Sequence, residues 1–254
     1  MANLSGESID SLYAGEVRVV QPRHGYRFSA DPLLLCAFAR IPAGARVADL
    51  GTGSGVIPLL LARSGKGRQF VGFEVRADAA ERAVRSVALN GRADEIRIVC
   101  ADVRSLPEEF RAGSFAAVVV NPPYRPAASG RVAPGEERGA ARFELTGGLV
   151  DFLRAAAFLL AEGGRFFIVH LAERLAELLD EMRTFRIEPK RLRLVHSRGG
   201  EGARLVLVEG RKGARPGVEV EAPLILYREG NGRSYTEAAA ALLGVAVPDR
   251  LPEN

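Results

Sequence analysis

Between residues 46 and 184 short apolar runs alternate with helical segments, and this alternation constrains the fold more than any other property of the chain. Arg46–Leu50 (RVADL) predicts a buried strand, and a glycine turn leads from it into a helix over Val56–Arg63. Strand Phe70–Val75 and helix Ala77–Asn90 follow, then strands Glu95–Ala101 and Phe115–Val120. The last of these is apolar throughout, as expected of a strand covered on both faces. Helix Gly148–Leu160 ends at Glu162-Gly163-Gly164, strand Arg165–His170 comes next, and helix Leu171–Thr184 closes the series. Parallel strands need crossover connections, and helices between strands supply them. The chain is therefore predicted to be α/β, with a doubly wound, mostly parallel sheet.

The flanks have a different texture. Residues 1–16 are polar and expected to be loosely ordered. Alternation in VRVV and YRFS on either side of Gln21–Gly25 predicts a short hairpin. Asp31 and Pro32 open a helix running to Ala39, with the acid as N-cap and the proline at the first helical position. Beyond Arg186, RLRLVHS and ARLVLVEG alternate about Gly199-Gly200-Glu201-Gly202, which predicts an antiparallel hairpin closing one sheet edge. Val218–Tyr227 adds an extended segment and Thr236–Leu243 a short helix. With no internal repeat, residues 1–254 read as one domain: an N-terminal hairpin and helix (1–45), a core (46–185), and a C-terminal hairpin and tail (186–254).

Bulk properties exclude some functions. The longest apolar stretches, Leu33–Ala39 and Ala155–Ala161, are too short to cross a bilayer, so no membrane role is expected. The N-terminus lacks a basic-plus-apolar leader, which predicts a cytoplasmic protein. Cys36 and Cys100 stand far apart, form no metal-ligand spacing, and read as small buried hydrophobes. His24, His170 and His196 are scattered, and neither a metal nor a triad role is assigned to them. The net charge of +4 permits a polyanionic partner without requiring one. Ten Arg or Lys face three Glu between Arg183 and Arg215, which is either a solvated surface or a phosphate-facing patch.

Two constellations carry chemistry. In Asp49-Leu50-Gly51-Thr52-Gly53-Ser54-Gly55 the glycines permit a tight turn and close approach of backbone to a ligand. Val56 stands where a GxGxxG dinucleotide fingerprint has glycine, so the pattern is GxGxG. Glu74, 25 residues after Asp49, ends the second strand where a carboxylate can accept from both ribose hydroxyls. Asp102 ends the third strand, so three acids fall at three successive strand ends on the ligand side of the sheet. After the fourth strand comes Asn121-Pro122-Pro123-Tyr124. Proline cannot donate to a ladder, so the strand ends there in a stiff corner whose carbonyls point outward. An amino nitrogen conjugated with a heterocycle is a poor nucleophile. If the Asn121 carboxamide oxygen and the Pro122 carbonyl accept its two N–H groups, the nitrogen is oriented and its developing charge stabilised. Tyr124 can stack on an extruded base.

The glycine turn resembles the first motif of class I S-adenosylmethionine-dependent methyltransferases. The NPPY corner resembles the signature of those that methylate adenine N6, cytosine N4 or glutamine N5. Three segments extend the resemblance over almost the whole chain: QPRHGYRFSADPLLL (21–35), DLGTGSGVIPLLLA (49–62) with NPPY, and RSYTEAAAAL (233–242). They are similar to the bacterial tRNA adenine-N6 methyltransferases that modify an anticodon-loop adenosine of a valine tRNA. The resemblance implies a Rossmann-like methyltransferase sheet, S-adenosylmethionine as cofactor and tRNA as substrate, with no metal. It implies cofactor binding by Asp31, Asp49, Gly51, Thr52, Gly53, Gly55, Glu74, Val75, Asp102, Val103 and Asn121. Asp102 matches the acid that contacts the adenine amino group, and the Phe28–Asp31 stretch lies over the methionine end. Catalysis falls to Asn121, Pro122, Pro123 and Tyr124. The glycine-rich segment 125–144, with Arg125, Arg131, Arg138 and Arg142, is expected to be a substrate loop. Competing readings are a glutamine-N5 protein methyltransferase, a DNA adenine or small-molecule amino methyltransferase, and a non-catalytic cofactor-binding module.

Overall fold

The computed structural model describes residues 6–24, 27–124, 147–230 and 232–244. Its centre is a nine-stranded sheet. The core strands are β3 (Arg46–Leu50), β4 (Gln69–Glu74), β5 (Ile96–Cys100), β6 (Phe115–Val120) and β7 (Leu160–Leu171). They are separated by α2 (Val56–Arg63), α3 (Ala77–Leu89) and α4 (Leu149–Leu159), and β7 leads to α5 (Leu175–Thr184). Strands β3 to β7 run parallel, in the spatial order β5-β4-β3-β6-β7. Winding therefore reverses between β3 and β6, and that reversal opens a crevice at the carboxyl ends of the strands.

Both faces of the sheet are covered, and β6 shows how. Ala117 and Val119 pack into one apolar cluster with α1 (Asp31–Phe38) and α2. Val118 and Val120 point the other way, into a second cluster with Phe152 and Leu153 of α4 and Leu178 and Met182 of α5. Successive residues of a strand alternate between faces, so a doubly covered strand must be apolar at every position.

The flanks depart from expectation in instructive ways. The N-terminal hairpin pairs β1 (Glu7–Leu12) with β2 (Val17–Pro22), so the expected loose segment supplies a strand and Arg27–Ser29 does not. Burial explains the choice: Val17, Val19 and Val20 are buried, and β1 completes the ladder of a ribbon already fixed on its core side. The Gly163–Gly164 turn, expected to separate helix from strand, lies inside β7, which begins directly where α4 ends. A Cβ on Gly164 would meet the Ala161 carbonyl at 2.8 Å. The C-terminal hairpin, β8 (Ile187–His196) with β9 (Ala203–Lys212), inserts β9 beside β7. The edge is closed by β10 (Glu219–Val220) and β11 (Leu224–Ile225), both parallel to β8. Helix α6 (Glu237–Leu243) is capped by Thr236, whose hydroxyl accepts from the Ala239 N–H. Cys36 is buried as expected, but Cys100 is exposed, because β5 is the other edge strand and Cys100 is its last residue. No helix among the described residues is long and apolar enough to cross a membrane.

Candidate active site

Backbone register assembles the site. Leu50 pairs with Phe73 on one side and Val120 on the other, and Glu74 pairs with Cys100. Gly51, Glu74, Asp102 and Asn121 thus lie at or just past four neighbouring strand ends. The glycine turn folds tightly: the Gly51 and Thr52 N–H groups both donate to the Phe73 carbonyl at 2.9 Å. Gly51, Gly53 and Gly55 all have positive φ (77°, 58° and 80°), a region closed to most side chains. Gly72 lets the turn sit down on β4, since a Cβ there would meet the Thr52 hydroxyl at 2.7 Å.

The acids differ in state. Asp49 is 2 % exposed and neither carboxylate oxygen has a hydrogen-bond partner. Burial pushes its pKa up to about 7; the nearby Thr52 hydroxyl opposes the rise and the charge of Glu74 adds to it. The Thr52 oxygen is itself buried without a partner, so it lies near Asp49 but closes no hydrogen bond of normal geometry. Glu74 is buried yet held: one oxygen accepts from Gly53 N–H at 2.9 Å and the other from Arg76 N–H at 3.0 Å. Asp102 accepts from the Arg104 backbone N–H at 2.8 Å and from its guanidinium at 2.6–3.0 Å, which hold its carboxyl below the usual carboxylate range. Val75 is half-buried and Val103 buried beside these acids.

The Asn121–Tyr124 corner is cross-braced. The Tyr124 hydroxyl lies 2.7 Å from Asp31 Oδ2 and 3.1 Å from Asn121 Oδ1. A phenol has one hydrogen, and the shorter contact takes it, so the Asn121 oxygen retains lone-pair capacity. Arg174 donates to the Tyr124 carbonyl at 2.9 Å and pairs with Glu177. Pro122 is buried and Pro123 exposed. Asp31 was expected to cap α1, but Ala30 is the N-cap and Asp31 is the first helical residue. Its carboxylate turns instead to Tyr124, a better donor than the backbone amides of its own turn.

Sequence reasoning missed two residues here. His170, given no role, lies at the carboxyl end of β7 with no exposed surface, its ring edge-on to Tyr124 at 5.7 Å. Neither ring nitrogen has a partner of normal hydrogen-bond geometry, and burial together with the Arg174 charge lowers its pKa to about 4. Its position at a strand end on the ligand side was the available signal. Arg174, which braces the corner from the turn before α5, left none. The basic segment 183–215 is not one surface: Arg191 is buried and Lys212 donates to the Ala157 and Leu160 carbonyls. The expected substrate loop lies outside the described residues. Among the described residues no group of three or more His, Cys, Asp or Glu converges as metal ligands would.

Residues 29–186 match the family model described as the methyltransferase small domain. A Porphyromonas gingivalis protein named tRNA1(Val) (adenine(37)-N6)-methyltransferase is 32% identical over 191 residues, covering 73% of this chain and 74% of that one. A Bacteroides fragilis protein of the same name is 27% identical over 143 residues, covering 56% of this chain; the chain spans 59% of that relative's length. Among solved structures, an Agrobacterium tumefaciens protein described as a predicted O-methyltransferase superposes with a TM-score of 0.66 at 27% identity, covering 85% of this chain and 97% of that one.

Proposed function

This chain belongs to the methyltransferase small domain family, and from that premise we propose that it transfers a methyl group from S-adenosylmethionine to the exocyclic N6 of an adenine in tRNA. The observation that carries the reading is the register of β3 and β6. Pairing of Leu50 with Val120 sets the glycine turn and Asn121 side by side at the switch point. The names of the relatives support tRNA as the substrate class.

The residues present fit the cofactor. Asp49, buried and unpartnered, is a carboxylate that a cationic group would stabilise. Each Glu74 oxygen has two acceptor positions and spends one on the backbone, which leaves capacity for the ribose hydroxyls. Asp102 stands where its carboxylate accepts from an adenine amino group by giving up part of its pairing with the Arg104 side chain. When bound, S-adenosylmethionine supplies an electrophilic methyl group on a sulfonium sulfur.

The chain's own part is positioning. The Asn121 oxygen and the Pro122 carbonyl accept the two N–H groups of the target amine. Its lone pair is then directed away from the corner, and positive charge developing on nitrogen meets fixed dipoles. Asp31, Arg174 and His170 hold Tyr124 from three sides, so its ring is set before a base arrives. The proton leaves after the methyl arrives, which asks for no strong base. The test is incubation with methyl-labelled S-adenosylmethionine and separate pools of tRNA, DNA and protein, followed by nucleoside analysis. Label in N6-methyladenosine from tRNA is expected. Label confined to protein, or to ribose 2′-oxygens, refutes the assignment.

A further inference from the structure

A second concavity lies beyond the end of α1, on one face of the sheet. A cleft of about 620 Å³ opens between the end of α1 and strands β7 to β9, lined in part by Arg40, Lys66, Arg165, Arg191, Arg193 and Glu221. Helix α1 runs from Asp31, at the methyl-transfer corner, to Phe38, on the cleft wall. Its eight residues span roughly 12 Å, so the two sites share a helix but no residue.

The cleft is built. Arg191, 4 % exposed, forms its floor: it donates to Glu209 at 2.7 and 2.9 Å, to Glu221 at 2.8 Å and to the Phe38 carbonyl at 2.8 Å, and lies 3.7 Å over the Phe38 ring. Those bonds use four of its five N–H groups. The cations around it are spent only in part. Arg40 gives one bond to Glu221, Arg165 one to Glu209, and Arg193 one to the Ala222 carbonyl. Lys66 gives two, to the Cys36 and Ala37 carbonyls at the end of α1. A guanidinium has five N–H groups and an ammonium three, so each of these four retains donors. Five cations against Glu209 and Glu221 leave three positive charges in excess at one concavity, where low-dielectric walls focus the field.

We infer that this cleft binds a phosphate carried on a nucleoside. A cavity of this volume exceeds what a lone inorganic anion fills and falls in the range of small-molecule sites. Its apolar wall, where Pro42 is exposed and Leu242 half-buried, suits the nucleoside part. The phosphate comes either from the backbone of the RNA substrate or from a free nucleotide; the first source rests on the function proposed above, the second does not.

The variant Arg40→Ala/Arg193→Ala removes two partly spent cations and leaves the Arg191 floor intact. With the cofactor site filled by S-adenosylhomocysteine, binding of bulk tRNA is measured across a potassium chloride series. Uridine 5′-monophosphate is titrated in parallel. If RNA backbone occupies the cleft, the slope of log affinity against log salt falls by about 1.4 to 1.8 in the variant, 0.7 to 0.9 per lost phosphate contact. Arg40→Lys/Arg193→Lys retains it. If a free nucleotide is the ligand, uridine 5′-monophosphate binds the wild type and its affinity falls at least tenfold in the alanine variant. S-adenosylhomocysteine affinity, unchanged in both variants, reports intact folding. An unchanged salt slope together with absent or unchanged nucleotide binding overturns the inference. A wild-type chain that binds no tRNA at any salt defeats the substrate proposal instead, and the nucleotide titration alone then decides the cleft.

Discussion

Asp49→Asn exchanges a buried, unpartnered carboxylate for a neutral group of the same shape, and its effect follows from linkage. The folded-state pKa of about 7 lies above the ordinary value of 3.8, so between those values the folded chain holds a proton that the unfolded chain has released. The resulting penalty is absent below pH 3.8 and complete above pH 7; at about 1.4 kcal/mol per pH unit it reaches roughly 4 kcal/mol. Between pH 5 and pH 8 the wild type should lose about 2 to 3 kcal/mol from this group alone, and the variant none of it. All other titrating groups are common to both chains, so the difference between their stability curves isolates Asp49. For a chain of this size that amounts to about 5 to 10 °C in Tm, readable by thermal denaturation of both proteins at the two pH values. S-adenosylhomocysteine should then stabilise the wild type more than the variant at pH 8, since its ammonium compensates the carboxylate. Parallel pH–stability curves would refute the reasoning, because Asp49 would then be ionised at no cost and would have no unmet demand for a cation.

Asn121→Ala should lower turnover by at least about 100-fold, the scale of losing a pre-positioned polar group at the reacting atom. Equilibrium binding of S-adenosylhomocysteine should stay within about twofold, and a parallel loss would move Asn121 into cofactor binding alone. Glu74→Ala removes the acceptor of Gly53 N–H as well as the proposed ribose contact, and should weaken S-adenosylhomocysteine by about 10- to 100-fold in calorimetric titration, at roughly 1.4 kcal/mol per decade. His170 has a folded-state pKa of about 4, below the ordinary 6.5, so its contribution is present at neutral pH and lost as pH falls through 6.5 toward 4. Urea unfolding at pH 7 and pH 4.5 should show the wild type losing roughly 2 kcal/mol more than His170→Phe, which keeps an aromatic edge against Tyr124. Equal losses would mean that His170 titrates normally.

The parallel core could be read to within a residue at most boundaries because each of its elements announces itself locally. RVADL, the glycine turn and the apolar run of β6 need no distant information. What stayed hidden depends on partners far along the chain. The strand Glu7–Leu12 has mixed polarity, and only its pairing with Val17–Pro22 makes it a strand. The Asp31–Tyr124 hydrogen bond joins residues 93 positions apart, so the N-cap pattern of Asp31-Pro32 pointed to a local role that the tertiary contact overrides. Cys100 shows the same limit: a residue type that favours the interior is exposed because its strand lies at a sheet edge, and edge position is a property of topology.

The pairing of Leu50 with both Phe73 and Val120 is made by main-chain groups, which every non-proline residue carries alike. Whatever aliphatic side chains fill the two apolar layers, the strand tips that bear Gly51, Glu74 and Asn121 stay abreast. Aliphatic substitutions in the interior that keep the ladder therefore leave the mutual spacing of the few polar groups at the rim unchanged. In this architecture the alignment of the candidate corner with the glycine turn is inherited from the peptide backbone.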